Sequence, residues 1–473
     1  MTDPTATAAF VGAFWDEHIV PTITDYIRIP NKSPAYDANW EANGHMEAAL
    51  QLALAWLRAH PVAGMQVEVG RLPGRTPLIL LDVPAVGGVE GTVLMYGHLD
   101  KQPEMTGWRE DLGPWKPKYE DGKLYGRGGA DDGYALFASV CSLLALAEQG
   151  VARSRIVVMI EFCEESGSPD LPAYVDHFKD VIGTPDLVVC LDSGAGNFEQ
   201  MWSTTSLRGI LGGTLDVNVL TQGVHSGDAS GVVASSFRIA RNLLSRLEDP
   251  DTGRILPEAL WAEIPEDRRR QAARAGETLG AAVHQRFPWA GEMQPTSEDP
   301  TECVLNRTWR PALSITGIDG VPSTSDAGSV LRPHTKLKLS LRLPPTVSGE
   351  AAGEVLTALF RDDIPYNAQV IGDFSDVAGG WNAPPLAPWL EQTLDEASIT
   401  YYGKPCLHMG EGGSIPFMGM LNAKFPDAQF VVTGVLGPNS NAHGPNEFLH
   451  VPYAKKLTCC ITDVLAGHAT RRG

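Results

Sequence analysis

The sequence predicts an α/β protein with a mostly parallel sheet, into which a smaller α+β domain is inserted. Short apolar runs rich in β-branched residues alternate with segments of helical spacing through the first 200 residues. The runs read "LILLDVP", "GTVLMYG", "RIVVMIEF" and "DLVVCLD". Strands this apolar suit a sheet that is covered on both faces, and helical segments such as 133–149 and 170–180 can cover it.

The alternation breaks near residue 203, which predicts a domain boundary. From there the sequence has a strand ("GGTLDVNVL"), a helix ("VVASSFRIARNLLSRLE") and a charged segment around 264–275. Two more strands ("ALSITGI" and "KLKLSLRL") and a helix over 349–361 follow. After "NAPPLAP" a helix over 387–400, the strand "QFVVTGVL" and a closing helix from about 452 restore the first pattern. We therefore expect a first domain of residues 1–205 and 383–473, with residues 206–382 inserted.

Composition excludes some partners. The 473 residues carry 37 Lys and Arg against 57 Asp and Glu, a net charge of −20, which would repel nucleic acid and anionic lipid. The longest apolar stretch, "YALFASVCSLLALA", is shorter than the roughly 20 residues of a spanning helix. The seven cysteines are scattered and mostly in apolar surroundings, which predicts reduced thiols in a cytoplasmic protein.

Five sets of acidic or imidazole side chains follow apolar strands. These are His98 with Asp100, Asp131, Glu164 with Glu165, Asp192, and His443. A lone histidine or acidic pair in a loop is usually just solvated surface, but the carboxyl ends of parallel strands meet at one edge of a sheet, where ligands bind. Carboxylates and imidazoles are ligands for zinc or manganese, and carboxylates can bridge two ions.

The glycine-rich "YGRGGADDG" does not fit a dinucleotide loop. Asp131 stands where the G-x-G-x-x-G pattern needs glycine, and the adjacent Asp132 adds a second carboxylate. Two carboxylates would repel a pyrophosphate. We therefore set the nucleotide interpretation aside.

Taken together, the motifs resemble those of the carnosinase-like metallodipeptidases, within the wider carboxypeptidase G and aminoacylase superfamily. The stretches "GHLD", "DGKLYGRGGADDG", "EESGS", "GVHSGDASG", "GGSIP" and "AHGPNE" occur in the family's order, from about residue 90 to the C-terminus. The resemblance implies a metallohydrolase domain with an inserted domain that serves as a lid and pairs two subunits.

The resemblance also implies a role for each acidic residue. His98 and Asp192 would hold one metal ion, Glu165 and His443 the other, and Asp131 would bridge the two. Asp100 would orient the His98 ring. Glu164 would be the general base that takes a proton from the metal-bound water. The peptide bond between Asp131 and Asp132 would be cis.

In the inserted domain, the resemblance implies that His225 stabilises the oxyanion of the reaction and acts on the partner subunit's site. Arg342 would grip the terminal carboxylate of the substrate, with Ser329 and Asn306 in the same pocket. From the residues alone, a plain surface strand position explains Arg342 equally well. Gly412, Gly413 and Ser414 would offer amides or a hydroxyl to the substrate, although such a turn is as often only a tight connection.

Two positions depart from the family pattern. The paired aspartates are followed by "GYA", where the dipeptidases usually have a lysine, and Gly410 stands where they usually have an arginine. Because Gly410 provides no cation, the way in which the substrate's carboxylate is bound can differ from that of the family. The metal ligands themselves are all present.

The expected function is two-metal hydrolysis of an amide bond in a small substrate, in a dipeptidase or similar exopeptidase. Zinc is the expected metal, with manganese as the alternative. The substrate would be a small peptide or, in an N-acyl-amino-acid amidohydrolase, an N-acyl amino acid. A non-catalytic binding protein is a third interpretation, but it gives no chemical reason to keep Glu164 and all five ligands. We further expect a homodimer and no nucleic acid or membrane partner.

Overall fold

The computed structural model of the chain describes residues 2–471. The helices are α1 Pro4–Phe14, α2 Val20–Ile27, α3 His45–Ala59, α4 Ala135–Glu148, α5 Leu171–His177, α6 Lys179–Ile182, α7 Ser226–Ala229, α8 Ser236–Leu247, α9 Glu266–Leu279, α10 Ala282–Gln285, α11 Pro300–Thr308, α12 Gly349–Arg361, α13 Pro388–Tyr402, α14 Pro416–Lys424 and α15 Val451–Thr470. The strands are β1 Gln66–Gly70, β2 Leu78–Val83, β3 Thr92–His98, β4 Lys118–Glu120, β5 Lys123–Tyr125, β6 Arg155–Glu161, β7 Leu187–Cys190, β8 Trp202–Leu207, β9 Gly209–Asn218, β10 Val224–His225, β11 Ala312–Asp319, β12 Val330–Leu331, β13 His334–Leu343, β14 Gln369–Ala378, β15 Trp381–Asn382, β16 Leu407–Glu411, β17 Gln429–Val432 and β18 Phe448–His450.

The main sheet has six strands in the order β1-β2-β6-β3-β7-β17. Strands β6, β3, β7 and β17 are parallel, whereas β2 and β1 extend the sheet as antiparallel strands at one edge. The predicted fold class, a mostly parallel α/β sheet with an inserted α+β domain, is confirmed.

Successive residues of the central strands enter two different cores, because side chains alternate across a strand. Val93 and Met95 of β3 join the core that packs against α1 to α4, α13 and α15, whereas Leu94 and Tyr96 join the core against α5, α6 and α14. Both faces are therefore covered, which explains why the strand sequences read as unbroken apolar runs.

The insertion contains an antiparallel sheet in the order β11-β13-β9-β14, with α8 and α12 packed on one face. We call this sheet and its two helices the lid. It has a hydrophobic core of its own, in which Leu215, Leu339 and Leu243 are fully or almost fully buried. Its edge strands β11 and β14 expose Ile315, Ile318 and Ile371.

Three helices of the inserted segment do not belong to the lid core. Ala272 of α9, Val283 of α10 and Val304 of α11 join the core of the main sheet, and so does Trp309. We call α9, α10 and α11 the bracket helices. Although they fall within 206–382, which we predicted as the inserted domain, they extend the first domain beside the sheet edge.

The chain enters and leaves the insertion at one place. β8, which leads into the lid, pairs with the two-residue strand β15, which leads out of it, at Trp381↔Leu207 and Asn382↔Ser206. Strands β8, β14 and β16 had no counterpart among the predicted elements. No helix within residues 2–471 is both long enough and apolar enough to cross a membrane.

Candidate metal centre and substrate pocket

His98 is the last residue of β3, and its side chain is completely buried. The residue before it, Gly97, packs directly against α4. A Cβ at position 97 would lie 2.5 Å from Cβ of Ala135, so only glycine fits there. Nδ1 of His98 lies 3.3 Å from Oδ1 of Asp100. Asp100 therefore lies beside the His98 ring, where the family resemblance implies that it orients the ring.

Asp131 lies at the middle of the cluster, between the two imidazoles. Its Oδ1 is 3.4 Å from Nε2 of His98, and its Oδ2 is 3.0 Å from Nε2 of His443. Each carboxylate oxygen therefore faces a different histidine, which is the arrangement of a bridging ligand. The peptide bond from Asp131 to Asp132 is cis, as the family resemblance implies.

Glu164 and Glu165 begin a single turn that follows β6. Asp100 holds this turn, because its two oxygens accept the backbone N–H groups of Glu164 and Glu165 at 3.1 and 3.0 Å. Oε2 of Glu165 lies 3.2 Å from Nε2 of His443 and accepts a hydrogen bond of 2.7 Å from Gln102. Oε2 of Glu164 lies 4.0 Å from Nε2 of His98, so the adjacent glutamates face different histidines.

Asp192 follows β7, and its Oδ1 lies 3.8 Å from Nε2 of His98. Two groups of side chains place a possible ligand atom from each member within 4.8 Å of the others: His98 with Asp132 and Asp192, and His98 with Asp131 and Glu165. Asp132 was not among the predicted ligands. Its Oδ2 accepts the backbone N–H of His98 at 3.3 Å, so it also helps to fix the position of that ring.

The chemistry of these residues fits divalent metal ions. Both ring nitrogens of His98 are buried and have no hydrogen-bond partner among the described residues. Buried charges require a partner, and carboxylates outnumber imidazoles in this cluster. His98, Asp131, Glu165, Asp192 and His443 offer the mixed nitrogen and oxygen donors that zinc and manganese accept.

The electrostatics of the carboxylates point the same way. Burial raises the pKa of Glu164 and of Asp192 well above the ordinary values, although the nearby His98 opposes this. Burial also acts to raise the pKa of Asp131, but His443 and His98 together hold it below its ordinary value. The ionisation of these carboxylates therefore depends on the positive charge near them.

A buried ion pair fastens the loop of His443 to the glycine-rich loop of Asp131. Arg127 pairs with Glu447, and both side chains are almost inaccessible to solvent. Arg127 also donates to the carbonyls of His443 and Gly444, while Glu447 accepts the backbone N–H of Gly128 at 2.9 Å. The sequence analysis missed this pair, although both residues lie within the motifs "YGRGGADDG" and "AHGPNE".

His225 lies in the short strand β10, away from the contacts of the metal cluster. Its side chain is exposed, and it pairs through the backbone with Val330 of β12. The next N–H, of Ser226, donates to the carbonyl of Ser329 at 2.9 Å, so predicted residues His225 and Ser329 are neighbours. No hydrogen bond or ion pair joins His225 to the five ligands within residues 2–471.

The remaining predicted substrate residues lie near Arg208, which connects several of them. Nη1 of Arg342 donates to Oγ of Ser414 at 3.3 Å, and that hydroxyl donates to the carbonyl of Arg208 at 2.6 Å. Arg208, which was not predicted, donates to the carbonyls of Asn306 and Gly412. The side chain of Asn306 instead accepts a hydrogen bond from Arg310, and Gly413 is exposed beside Ser414.

Comparison with known proteins identifies the family of this chain. The sequence profile of peptidase family M20/M25/M40 matches residues 94–466. The cysteinylglycine-S-conjugate dipeptidase of Corynebacterium striatum is 27% identical over 379 residues, covering 77% of this chain and 79% of that relative. The Beta-Ala-His dipeptidase of Mus musculus is 29% identical over 366 residues, covering 73% and 71%. The crystal structure of human carnosine dipeptidase 1 superposes with a TM-score of 0.77 at 21% identity, covering 99% of each chain.

The chain therefore belongs to peptidase family M20/M25/M40. It is a metallopeptidase, an enzyme that binds divalent metal and hydrolyses peptide bonds, and the predicted relationship to carnosinase-like dipeptidases is confirmed.

Removing the metal should destabilise the protein. Dialysis against a chelator should lower the melting temperature, and excess Zn²⁺ or Mn²⁺ should raise it again by about 5 °C or more, since ions bind the folded state only. Differential scanning fluorimetry measures the shift. Asp131→Asn should abolish most of it, while Asp251→Asn, the same change at an exposed turn, should keep it. An identical melting temperature with and without ions, together with no bound metal by mass spectrometry, would contradict the site.

Proposed function

We propose that the chain is a dipeptidase that uses two divalent metal ions, most simply zinc, with manganese as the alternative. The observation that carries this proposal is Asp131, whose two oxygens each face a different histidine. His98 and Asp192 would hold one ion, Glu165 and His443 the other, and Asp131 would contact both. Bound divalent ions would act as Lewis acids and lower the pKa of a coordinated water.

Glu164 is the general base in this proposal. Its carboxylate is nearly buried, is not needed to complete either ligand set, and lies 4.0 Å from Nε2 of His98. Burial raises the pKa of Glu164, so its carboxylate is a better proton acceptor than an exposed one. Asp100 is a positioning residue, because it holds both His98 and the Glu164 turn.

Substrate binding is assigned to the lid and to the loop after β16. Arg342 and Ser414, which are in contact, bind the terminal carboxylate, with Gly413 and Asn306 nearby. Ser329, which lies beside His225, contributes to substrate binding together with that histidine. His225 donates a hydrogen bond to the oxyanion that develops on the scissile carbonyl. We propose a cytoplasmic location, which the unpaired state of all seven cysteines supports.

His225 acts on a second copy of the chain in this proposal. It is exposed at β10, and the lid leaves apolar side chains exposed on edge strands β11 and β14, where another lid could pair. We therefore propose a homodimer with twofold symmetry through the lid of residues 206–382, with movement about the paired strands β8 and β15.

The substrate class can be tested directly. With added Zn²⁺ or Mn²⁺, the enzyme should hydrolyse free dipeptides, and amidation of the C-terminus should lower kcat/KM by about 10- to 100-fold, the value of a hydrogen bond to a charged group. In Arg342→Gln, kcat/KM should be similar for free and amidated dipeptides. Arg361 is an exposed residue of α12, and Arg361→Gln should keep the preference for free dipeptides. Faster hydrolysis of N-acetyl, N-succinyl or N-carbamoyl amino acids would instead favour an N-acyl-amino-acid amidohydrolase.

Replacement of the base should separate catalysis from metal binding. Glu164→Gln should lower kcat by about 100-fold or more, because it removes the proton acceptor. Its metal content and metal-dependent melting shift should stay at the wild-type level. Glu148→Gln, at the exposed end of α4, is the matched control and should have normal kcat. A normal kcat in Glu164→Gln would disprove the base, and lost metal would make Glu164 a ligand.

Mixing two inactive variants tests the dimer. If His225 acts on the partner subunit, a mixed dimer of Glu164→Gln and His225→Ala has one site with both defects and one intact site. Activity should then return toward half of the wild-type value per mixed dimer. Subunit exchange is measured separately by mass spectrometry of differently tagged chains. Complete exchange without recovered activity would mean that His225 does not act on the partner's site.

A further inference from the structure

A cavity of about 230 Å³ lies between the bracket helices and two loops of the metal centre. Gly196, four residues after Asp192, and Asn439, four residues before His443, both line it. Four residues span at most about 14 Å, so the cavity is within reach of a small peptide bound at the metal cluster. The cavity contains none of the predicted substrate residues.

The lining of the cavity combines apolar side chains with two cations. Leu279, Val283 and Pro438 are apolar, whereas Arg286 and Arg307 bring two guanidinium groups. This combination suits a ligand group that has methylenes near its attachment point and a negative charge at its end.

Arg307 has few partners of its own. Within residues 2–471, its Nε is buried without a hydrogen bond, and its Nη2 hydrogen-bonds only to the sulfur of Met409 at 3.4 Å, a weak acceptor. The nearest carboxylate oxygen, of Glu411, is 3.9 Å away, beyond hydrogen-bond distance. Arg310, near the end of the same helix, instead pairs with Glu302 at 2.6 Å. A buried arginine N–H normally has an acceptor, so the position of Arg307 is one that an added oxyanion would complete.

Glycines allow α11 to bring Arg307 to this place. A Cβ at Gly410 would lie 2.8 Å from Cβ of Thr308, and a Cβ at Gly412 would lie 3.1 Å from Cγ of Arg307. A long side chain at 410 would therefore displace α11. Gly410, where an arginine is usual in the carnosinase-like enzymes, is the position that makes room for the cation on α11.

The surrounding charge is positive. Arg208 lies close enough to both Arg342 and Arg307 that, with burial as the main cause, they lower its pKa to about 10. The guanidinium of Arg208 is already bonded to backbone carbonyls, so it contributes charge to the pocket without being free to grip a ligand. Glu411 offsets one of the two cations, Arg286 and Arg307, that face the cavity.

We propose that Arg307, with Arg286, forms an anion-binding subsite that receives the acidic side chain of the C-terminal residue of the substrate. Ser414 contacts both Arg342 and the carbonyl of Arg208, and a Cβ at Gly412 would lie 3.2 Å from Nη2 of Arg208 and 3.1 Å from Cγ of Arg307. Arg342 and Arg307 therefore border the same region, so a residue whose terminal carboxylate lies at Arg342 would extend its side chain toward Arg307. The apolar wall contacts the methylenes of that side chain. This inference rests on the proposed dipeptidase function and adds a preference for Glu or Asp at the second position.

The test compares isosteric dipeptides. For the metal-loaded wild-type enzyme, kcat/KM should be about 10- to 100-fold higher for Ala-Glu than for Ala-Gln, as for a hydrogen-bonded charge. Arg307→Gln should reduce this ratio to near one, and Arg307→Lys, which keeps the charge, should recover part of it. Arg270→Gln, an exposed arginine of α9, removes the same charge outside the cavity and should leave the ratio unchanged. The metal-dependent melting shift checks that each variant is folded.

Equal rates on Ala-Glu and Ala-Gln in the wild-type enzyme would overturn the subsite alone, since dipeptide hydrolysis would still be observed. A preference that survives in a folded Arg307→Gln variant would also overturn it. No hydrolysis of any dipeptide in the presence of Zn²⁺ or Mn²⁺ would overturn the proposed function and the subsite with it.

Discussion

The structure depends on bringing several carboxylates together at one buried edge of a sheet. Asp131, Asp132, Glu165 and Asp192 are each less than 10% exposed, and Asp100 is fully buried. Ionised groups so close together in a low dielectric are unstable unless cations or N–H donors balance them. The chain supplies backbone N–H groups to Asp100 and Asp132, and imidazoles to Asp131. The divalent metal that the family binds would supply further positive charge to the cluster.

The side chains of the cluster lie at strand ends and in loops, so these loops must be held in fixed positions. Contacts outside the cluster hold them there. His98 ends β3 and Asp192 follows β7, its parallel neighbour, so the sheet brings these two residues together. His443 follows β17 at a distance and lies in a loop with several residues of positive φ, so it needs a separate support. Arg127 and Glu447 give it that support, because one buried ion pair bonds the carbonyls of His443 and Gly444 and the N–H of Gly128 together. Truncating either partner would leave an unpaired buried charge, so the pair also ties the stability of the fold to the geometry of the centre.

The sequence predicted the parts of this arrangement that are local. Apolar runs predicted β3, β6, β7 and β17, and the residues near their ends were predicted to lie together, because parallel strands carry their carboxyl ends to one edge. Contacts between distant segments were not predictable in the same way. Gln102 meets Glu165 only after two loops fold together, and Asp132 acts through the backbone of His98. The charged segment near 264–275 resembles an exposed linker in sequence, yet α9 buries Ala272 and Ala275 against the core of the main sheet. A helix with so few large apolar residues gives little sign of which core it will join.

One of the bracket helices, α11, also carries a charged residue of the pocket, Arg307. A chain with a net charge of −20 has to concentrate cations locally if it is to attract an anionic substrate to a cluster of carboxylates. Arg342 comes from the lid, Arg208 from the junction between β8 and β9, and Arg307 from a helix packed on the first domain. Three segments far apart in the sequence therefore contribute these arginines. The arginines differ in their hydrogen bonds: Arg208 donates to backbone carbonyls, whereas Nε of Arg307 has no hydrogen-bond partner within residues 2–471. In the proposed subsite, selectivity for an acidic side chain would depend on Arg307, because donors already bonded to carbonyls are not available to a ligand.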